Sequence, residues 1–397
     1  MTSDSRPFTV DVSVCGAFHA YSLANELYRR RHLGTLFTSY PGWYLPRRFR
    51  TEFPRAHVRS NCLQFAVEAA HRLAPRDPEA AWWLREAHDV FTARGLREGS
   101  DIFVGWSGCS LRALRRARGL GMTTVLVRGS AHIAEQMALL AREHDRLGLP
   151  FTQAQRTVER ELEEYAEVDL IQTNSSFAAD SFVARGVDPG RIVMVNTGVD
   201  LDRFRPVPRD DRATFRVITC GSLGVRKGIH VLLEAFARAA LPHAELWLIG
   251  PVLPELAPLA ARHASPAVRF VGPIANAELH RHFSQGDVFV MPSIEEGLAA
   301  VQAQAMACGL PLVSSRASGG ADLLSADGVE GFLVPPGDVE ALTERLVWCH
   351  GHREALRAMG EAALGRARGA LTWDAYGARI AARYRDVVAA RRGVQRA

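Results

Sequence analysis

Short apolar runs alternate with longer amphipathic stretches along this chain. Residues 8–14, 35–38, 101–105, 123–128, 168–173 and 191–195 are too short for helices and rich in β-branched or aromatic side chains, so they read as strands. Between them, 21–31 reads as a helix, and 130–166 as a helical, charged excursion near a cleft. The pattern restarts with strands at 215–219, 245–249, 268–271, 287–291, 311–314 and 331–334, and with a helix over 229–236. A last amphipathic segment, 373–390, predicts a C-terminal helix. Strands that are apolar on both faces, separated by helices, predict an α/β protein with parallel sheets covered on both sides. The proline and charge run 206–211 marks a junction. The expected organisation is therefore a first doubly wound half, 1–205, a second, 206–372, and a closing helical segment, 373–397. Two such halves face each other across a deep cleft at the carboxyl ends of their strands.

Composition narrows the picture only a little. The 397 residues are 47% hydrophobic and 23% charged, as in ordinary globular proteins. The net charge of +5 suits anionic substrates or a lipid headgroup surface. No basic run is interleaved with stacking aromatics on a recognisable module, which argues against nucleic acid. The six cysteines, at 15, 62, 109, 220, 308 and 349, have no ligand spacing. They read as reduced core residues of a cytoplasmic protein. Residues 1–7 lack the apolar stretch of a signal peptide, and no run reaches the roughly 18–20 apolar residues that span a bilayer. Residues 43–50 mix aromatics with arginines. They read as a loop packed on the first half, with a peripheral membrane surface or an anionic acceptor as its other use. Trp82 and Trp83 read as core.

The chain has 47 arginines and a single lysine, Lys227. It lies in Cys220-Gly-Ser-Leu-Gly-Val-Arg-Lys-Gly228, between a predicted strand and a predicted helix. Gly221, Gly224 and Gly228 make that connection a tight turn. A strand, a glycine loop and a helix N-terminus bring backbone N–H groups and the positive end of a helix dipole to one place. Arg226 and Lys227 add two positive charges, and a compact ammonium fits where a forked guanidinium would not. This is a diphosphate cradle. It is not a P-loop, which needs a Ser or Thr after the lysine for magnesium.

A second constellation follows the strand 287–291, in Pro292-Ser-Ile-Glu-Glu-Gly297 and an alanine-rich helix. Its free N–H groups are expected over Leu298, Ala299, Ala300 and Val301. Glu296 stands at the turn and Gln304 two helical turns on. As plain structure they would be a cap and a surface residue. As a site, Glu296 accepts from sugar hydroxyls and Gln304 meets a ribose. Together with Gly198-Val-Asp-Leu-Asp-Arg-Phe204, the cradle, Ala305-Met-Ala-Cys-Gly-Leu-Pro-Leu-Val313 and Val329-Glu-Gly-Phe-Leu-Val334, this stretch resembles the family-4 retaining glycosyltransferases of the GT-B fold. The similarity is strong over 165–385 and weaker before it. Gly16–His19 and Arg128–His132 resemble segments found in a subset of that family. Three positions depart from its pattern: Gln304 replaces a second Glu, Ser222 replaces an Arg of the phosphate loop, and Leu298-Ala299 replaces Phe-Gly.

The resemblance implies a metal-independent, cofactor-free transfer of a sugar from a UDP- or GDP-type donor to an acceptor hydroxyl by same-face attack. The acceptor would be a glycan, a lipid-linked sugar or a small metabolite. It implies catalytic roles for Glu296, Lys227, Arg226 and His132. Donor contacts fall on Gly221, Ser222, Gly272, Ile274, Gly297–Val301 and Gln304, and acceptor contacts on Gly16, His19 and Arg128. The Asp200-Leu-Asp202 triplet, a metal motif in another glycosyltransferase fold, reads here as turn chemistry. Three rival readings stand: a nucleotide-sugar 2-epimerase, which needs no acceptor; a phosphorylase, which needs pyridoxal phosphate on a lysine; and a non-catalytic nucleotide-sugar-binding protein. Oligomeric state is open.

Overall fold

The computed structural model describes residues 8–70, 78–153, 155–209 and 213–394. The remainder of the predicted junction, Asp210 and Asp211, and the N-terminal residues 1–7 lie outside them. Thirteen described strands form two parallel sheets. The first holds β1 (Val10–Val14), β2 (Leu33–Thr38), β3 (Val58–Ser60), β4 (Ile102–Trp106), β5 (Thr123–Arg128), β6 (Leu170–Thr173) and β7 (Ile192–Met194), in the order β3-β2-β1-β4-β5-β6-β7. The second holds β8 (Phe215–Cys220), β9 (Ala244–Ile249), β10 (Val268–Gly272), β11 (Val288–Met291), β12 (Leu312–Ser315) and β13 (Gly331–Val334), in the order β10-β9-β8-β11-β12-β13. Each order reverses beside its first strand, so each half has a switch point where the strand ends open a crevice.

The central strands β1, β4 and β11 are buried at every position, which is why they read as apolar without alternation. On one face of the first sheet, Val10, Val12, Ile102 and Val104 pack with the helix Ala20–Arg29 and with Tyr376, Ile380 and Tyr384 of the helix Trp373–Val394. On the other, Phe103, Leu126 and Ile171 pack with Leu114, Tyr165 and Phe182. The C-terminal helix therefore belongs physically to the first half. Tyr384 Oη donates to Gln172 Oε1 at 2.7 Å, and Gln172 Nε2 donates to Tyr376 Oη at 3.3 Å.

The chain crosses between halves twice, side by side. Val199 N–H donates to Leu371 O at 2.7 Å. Val199 and Phe204 already pack with Ile218, Phe289 and Leu371 of the second half, so the crossing precedes the proline run. The excursion after β5 is two helices, Ile133–Arg146 and Gln155–Glu167. Beyond the first of these, Leu147 and Leu149 pack against the second half's cluster, so this segment bridges the two sheets.

Three expectations are corrected. Trp83 is 63% exposed, and Trp82 lies only partly buried under the Arg160 guanidinium, 5.8 Å from its ring centroid. Cys62 is exposed, whereas the other five cysteines are buried and free. The stretch 43–50 contains a short helix, Leu45–Phe49, whose Phe49 ring stacks on Tyr21 at 3.8 Å. Its Trp43, Arg47 and Arg48 stay exposed. No described helix is long and apolar enough to cross a membrane.

Replacing Tyr384 by Phe removes the only donor to buried Gln172 Oε1 among the described residues. The expected cost is about 1–2 kcal/mol, read as a lower urea midpoint for the first half. An unchanged midpoint would mean that the terminal helix is not held by this bond.

Candidate active site

β8 ends at a backbone crossing that tolerates no side chain. Gly221 and Gly250 carry φ of +143° and +136°, and a Cβ on Gly250 would lie 1.9 Å from Gly221 O. Gly250 N–H in turn donates to Gly272 O at 2.9 Å. The ends of β8, β9 and β10 thus lie flush as bare backbone, with Ile274 partly buried beyond them. The turn after β8 folds Lys227 back over Gly221, where a Cβ would sit 3.5 Å from Lys227 Cε. Gly228 caps the helix Ile229–Ala239 in the left-handed region, and its missing Cβ makes room for Pro292 O. Ser222 is exposed.

The loop after β11 delivers two carboxylates to the same place. Lys227 Nζ lies 2.6 Å from Glu296 Oε2, and Arg226 Nη2 lies 3.6 Å from the same atom. Burial pushes the Glu296 carboxyl upward, but Lys227 and Arg226 more than offset it and hold it below the usual range. Arg226 Nε donates to Glu295 Oε2 at 2.8 Å. Glu295 is fully buried and also accepts from the first half: Ala131 N–H at 2.9 Å and Gln136 Nε2 at 2.6 Å. Arg226 Nη2 donates to Ser130 Oγ at 3.0 Å. A seam of paired charges therefore closes between the halves. It is sealed by backbone, because a Cβ on Gly297 would lie 2.2 Å from Gly129 O and 2.7 Å from Asn174 Oδ1.

Beside this seam lies a cleft of about 830 Å³. Phe18, Tyr21 and Asn25 line it from the first half, Phe49 and Arg48 from the short helix, and Asn276, Ala300 and Gln304 from the second half. Gln304 Oε1 is buried there with no hydrogen-bond partner among the described residues, as an acceptor waiting for a ligand donor would be. The helix starts at Ala300 with Ala299 as its cap, so Leu298 and Gly297 belong to the turn, a shift from the expected start. Val301 is partly buried on that helix.

The predicted residues thus separate into two adjoining groups. Gly221, Arg226, Lys227, Glu296 and Gly297 meet in the seam; Ala300 and Gln304 line the cleft next to Phe18. Gly16, with φ +112°, is held at the mouth of β1, where its N–H donates to Ser39 Oγ at 3.2 Å. His19 caps the following helix, with its ring edge-on to Trp106 at 5.2 Å, and burial lowers its pKa to about 4.

Two expectations change here. His132 is a helix cap: its Nδ1 accepts Ala134 N–H at 3.2 Å, and its ring packs 5.0 Å from both Tyr165 and Phe182. Burial lowers its pKa to about 4, so it is a neutral imidazole committed to structure. Arg128 is likewise committed, donating to Ala131 O, Glu161 Oε1 and Gln136 Oε1 at 3.2, 3.0 and 2.7 Å. Asp200 does form a turn, accepting from Asp202 N–H and Arg203 N–H, each at 3.2 Å, and it pairs with Arg50. Sequence reasoning missed Glu295, Gln136, Ser130 and Gly250. Only Glu295 carried a signal, as the first of two adjacent acids in the loop after an apolar strand.

Residues 214–351 match the family model of glycosyl transferases, group 1. A sulfoquinovosyl transferase of Arabidopsis thaliana is 34% identical over 218 residues, 51% of this chain and 42% of that protein. A D-inositol 3-phosphate glycosyltransferase of Corynebacterium glutamicum is 29% identical over 285 residues, 65% of this chain and 66% of that protein. The chain thus spans less than two thirds of the length of these relatives. In fold it is similar over 96% of its length to sucrose-phosphate synthase from Thermosynechococcus elongatus, with 100% of that chain covered, a TM-score of 0.73 and 21% identity. It is also similar over 95% of its length to Anabaena HepE in complex with UDP-glucose, with 99% of that chain covered, a TM-score of 0.66 and 19% identity. Fold and site together define a two-domain GT-B protein. Residues 214–351 are thus similar to the group 1 glycosyl transferases, and the chain as a whole has the fold of these two-domain structures.

Replacing Gly297 by Ala puts a Cβ against the backbone of Gly129, which no side-chain rotation relieves. The expected outcome is a pair of intact halves held apart. Small-angle scattering should show a larger radius of gyration with an unchanged circular dichroism spectrum. A scattering curve identical to wild type would overturn the seam contact.

Proposed function

We propose that this chain is a retaining glycosyltransferase that moves a sugar from a UDP- or GDP-type donor to an acceptor hydroxyl. The observation that carries the reading is the pair Lys227 Nζ–Glu296 Oε2 at 2.6 Å, set beside Arg226 in the turn after β8, with the orphaned Gln304 Oε1 on the helix that follows Glu296. On donor binding the diphosphate takes the ammonium from Glu296. The freed carboxylate then accepts from sugar hydroxyls, and Gln304 Oε1 takes a ribose hydroxyl. As the C–O bond to the diphosphate breaks, Lys227 and Arg226 stabilise the growing charge, which is where preorganised cations accelerate a reaction. The acceptor oxygen bonds to the same face, and its proton passes to the departing phosphate oxygen. His132, committed as a cap, has no part in this scheme.

Two similar proteins support this reading: HepE is known with UDP-glucose, which supports a nucleotide sugar as donor, and the Arabidopsis relative is named for the transfer of a sugar group. The acceptor, a glycan, lipid-linked sugar or small metabolite, enters through the mouth lined by Phe18, Tyr21, Asn25 and Arg48. Phe18 and Trp43 are 54% and 50% exposed beside the exposed Arg47 and Arg48, which suits a cytoplasmic protein working at an anionic membrane face. No cofactor is needed, and two cations at the leaving group serve in place of a metal.

A thermal-shift panel of UDP-, GDP-, ADP- and dTDP-sugars identifies the donor, because a ligand bound to the folded state raises its stability. With that donor, Lys227→Ala should lose roughly 10²–10³ in kcat/KM, and Lys227→Arg should also be impaired. A lysine-selective reagent can label only the α-amino group and Lys227, and saturating nucleoside diphosphate should protect Lys227 alone. Unchanged labelling with every base would remove the cradle from this site. Conversion of donor without any acceptor would instead favour the epimerase reading.

The metal-free scheme has its own test. EDTA should leave the transfer rate largely intact. Complete loss, restored by magnesium or manganese, would replace it.

A further inference from the structure

Glu295 is the member of the acidic pair to which the transfer scheme gives no part. Its carboxylate is wholly buried and serves both halves at once. Oε1 accepts Ala131 N–H; Oε2 accepts Gln136 Nε2 and Arg226 Nε, at 2.9, 2.6 and 2.8 Å. Gln136 is itself fixed, since Arg128 Nη2 donates to its Oε1 at 2.7 Å. Arg226 is pinned a second time by its Nη2 bond to Ser130 Oγ at 3.0 Å. A guanidinium is planar and rigid, so fixing Nε and Nη2 also fixes the direction of Nη1. That third nitrogen takes no hydrogen-bond acceptor among the described residues. It is the edge of Arg226 left over for a ligand.

We propose that Glu295 and Gln136 are positioning residues that aim Arg226 at the leaving diphosphate, and that they do so only when the two halves are closed. The lock is split across the seam: Arg226 and Glu295 stand on the second half; Ser130, Ala131 and Gln136 on the first. When the halves part, Arg226 loses Ser130, and Glu295 loses two of its three donors. Donor capture in the open form then falls to Lys227, and Arg226 contributes once closure has aimed it. A merely structural ion pair would instead move stability without separating kcat from KM.

The kinetic arm of the test rests on the transfer reading; the exchange arm does not. Glu295→Gln keeps the shape and the acceptor for Ala131 N–H, but sets an amide NH₂ against the Gln136 and Arg226 donors. The transfer rate kcat should fall by about 10²-fold, the scale set by a small misplacement of a catalytic group. Donor KM should change by no more than about threefold, because the lost interaction belongs to the transition state. Gln136→Ala acts from the other half and leaves both charges of the Glu295–Arg226 pair in place, and should show the same split even if Glu295→Gln folds poorly. The double variant should be little worse than the worse single one, as for two parts of one network. In the donor-free protein, amide exchange at Ala131 should quicken by about tenfold in either variant as local opening becomes easier. Unchanged kcat in both variants, additive losses, or wild-type exchange at Ala131 would each overturn the proposal. If wild type transfers sugar to no acceptor, the transfer reading fails by itself, and the exchange at Ala131 still decides whether the lock exists.

Discussion

Two carboxylates and two cations gathered in one seam, with Glu295 wholly buried among them, impose the constraint on which the rest of this structure depends. Glu295 and Glu296 bring two negative charges; Arg226 and Lys227 bring two positive ones. A buried charge left without a partner costs several kcal/mol, so the wholly buried Glu295 cannot be tolerated alone. Burial lowers the Arg226 pKa, but Glu296 and Glu295 overcome it and keep the guanidinium charged. Glu296 stays ionised for the reciprocal reason. Glu295 then needs more donors than its own half supplies, and the first half provides them through Ala131 and Gln136. Charge satisfaction therefore acts across the two halves, and the closed arrangement is the one in which it is complete.

Close approach makes that possible, and glycine permits the approach. Gly297 lies against Gly129 O and Asn174, and Gly319 against Gly297 O, each too near for any side chain. Away from this contact, further polar and apolar pairs hold the halves together. Ser176 N–H donates to Asp322 Oδ2 at 2.8 Å, and His230 Nε2 lies 2.6 Å from Glu143 Oε1. Burial pushes the Glu143 carboxyl up, but His230 and Arg146 bring it down to about 2. Its stabilising contribution is therefore complete above the ordinary glutamate range. It fades only as the pH falls from there toward 2.

The sheets were legible in the sequence because parallel strands buried on both faces leave uninterrupted apolar runs. Residues 215–219 and 287–291 fall on β8 and β11 within a residue, and the C-terminal helix begins at Trp373 as the pattern implies. What failed was short or mixed. The strand β3 has three residues and an exposed middle position, so no period was there to see. Trp83 read as core because tryptophan usually is, but its helix turns that position to solvent. The glycine turn that carries Lys227 was legible because that lysine is unique and glycines mark the turn. Its partners were not, because Ser130, Ala131 and Gln136 lie some 90 to 165 residues away and meet it only through the tertiary fold. His132 misled in the other direction. A histidine after a strand end suggests chemistry, yet its Nδ1 is spent on Ala134 and its ring on Tyr165 and Phe182.

The departure at Ser222 also acquires a physical sense. Ser222 is exposed and carries no charge, so the phosphate loop has lost the cation usual at that place. Arg226 supplies a guanidinium four residues later, but from there it faces two carboxylates, and left free it would collapse onto them. Glu295 takes its Nε and Ser130 its Nη2, which spends the fork on the protein while leaving Nη1 open. Lys227 has the opposite design. Its ammonium has no plane to orient, so a contact with Glu296 holds it, and in the proposed transfer a diphosphate replaces that contact without rebuilding the loop. One cation is thus exchangeable and the other is aimed. In the proposed scheme the lysine suits the first role and the arginine the second, because only the point charge can change partners cheaply, and only the fork can be locked in direction.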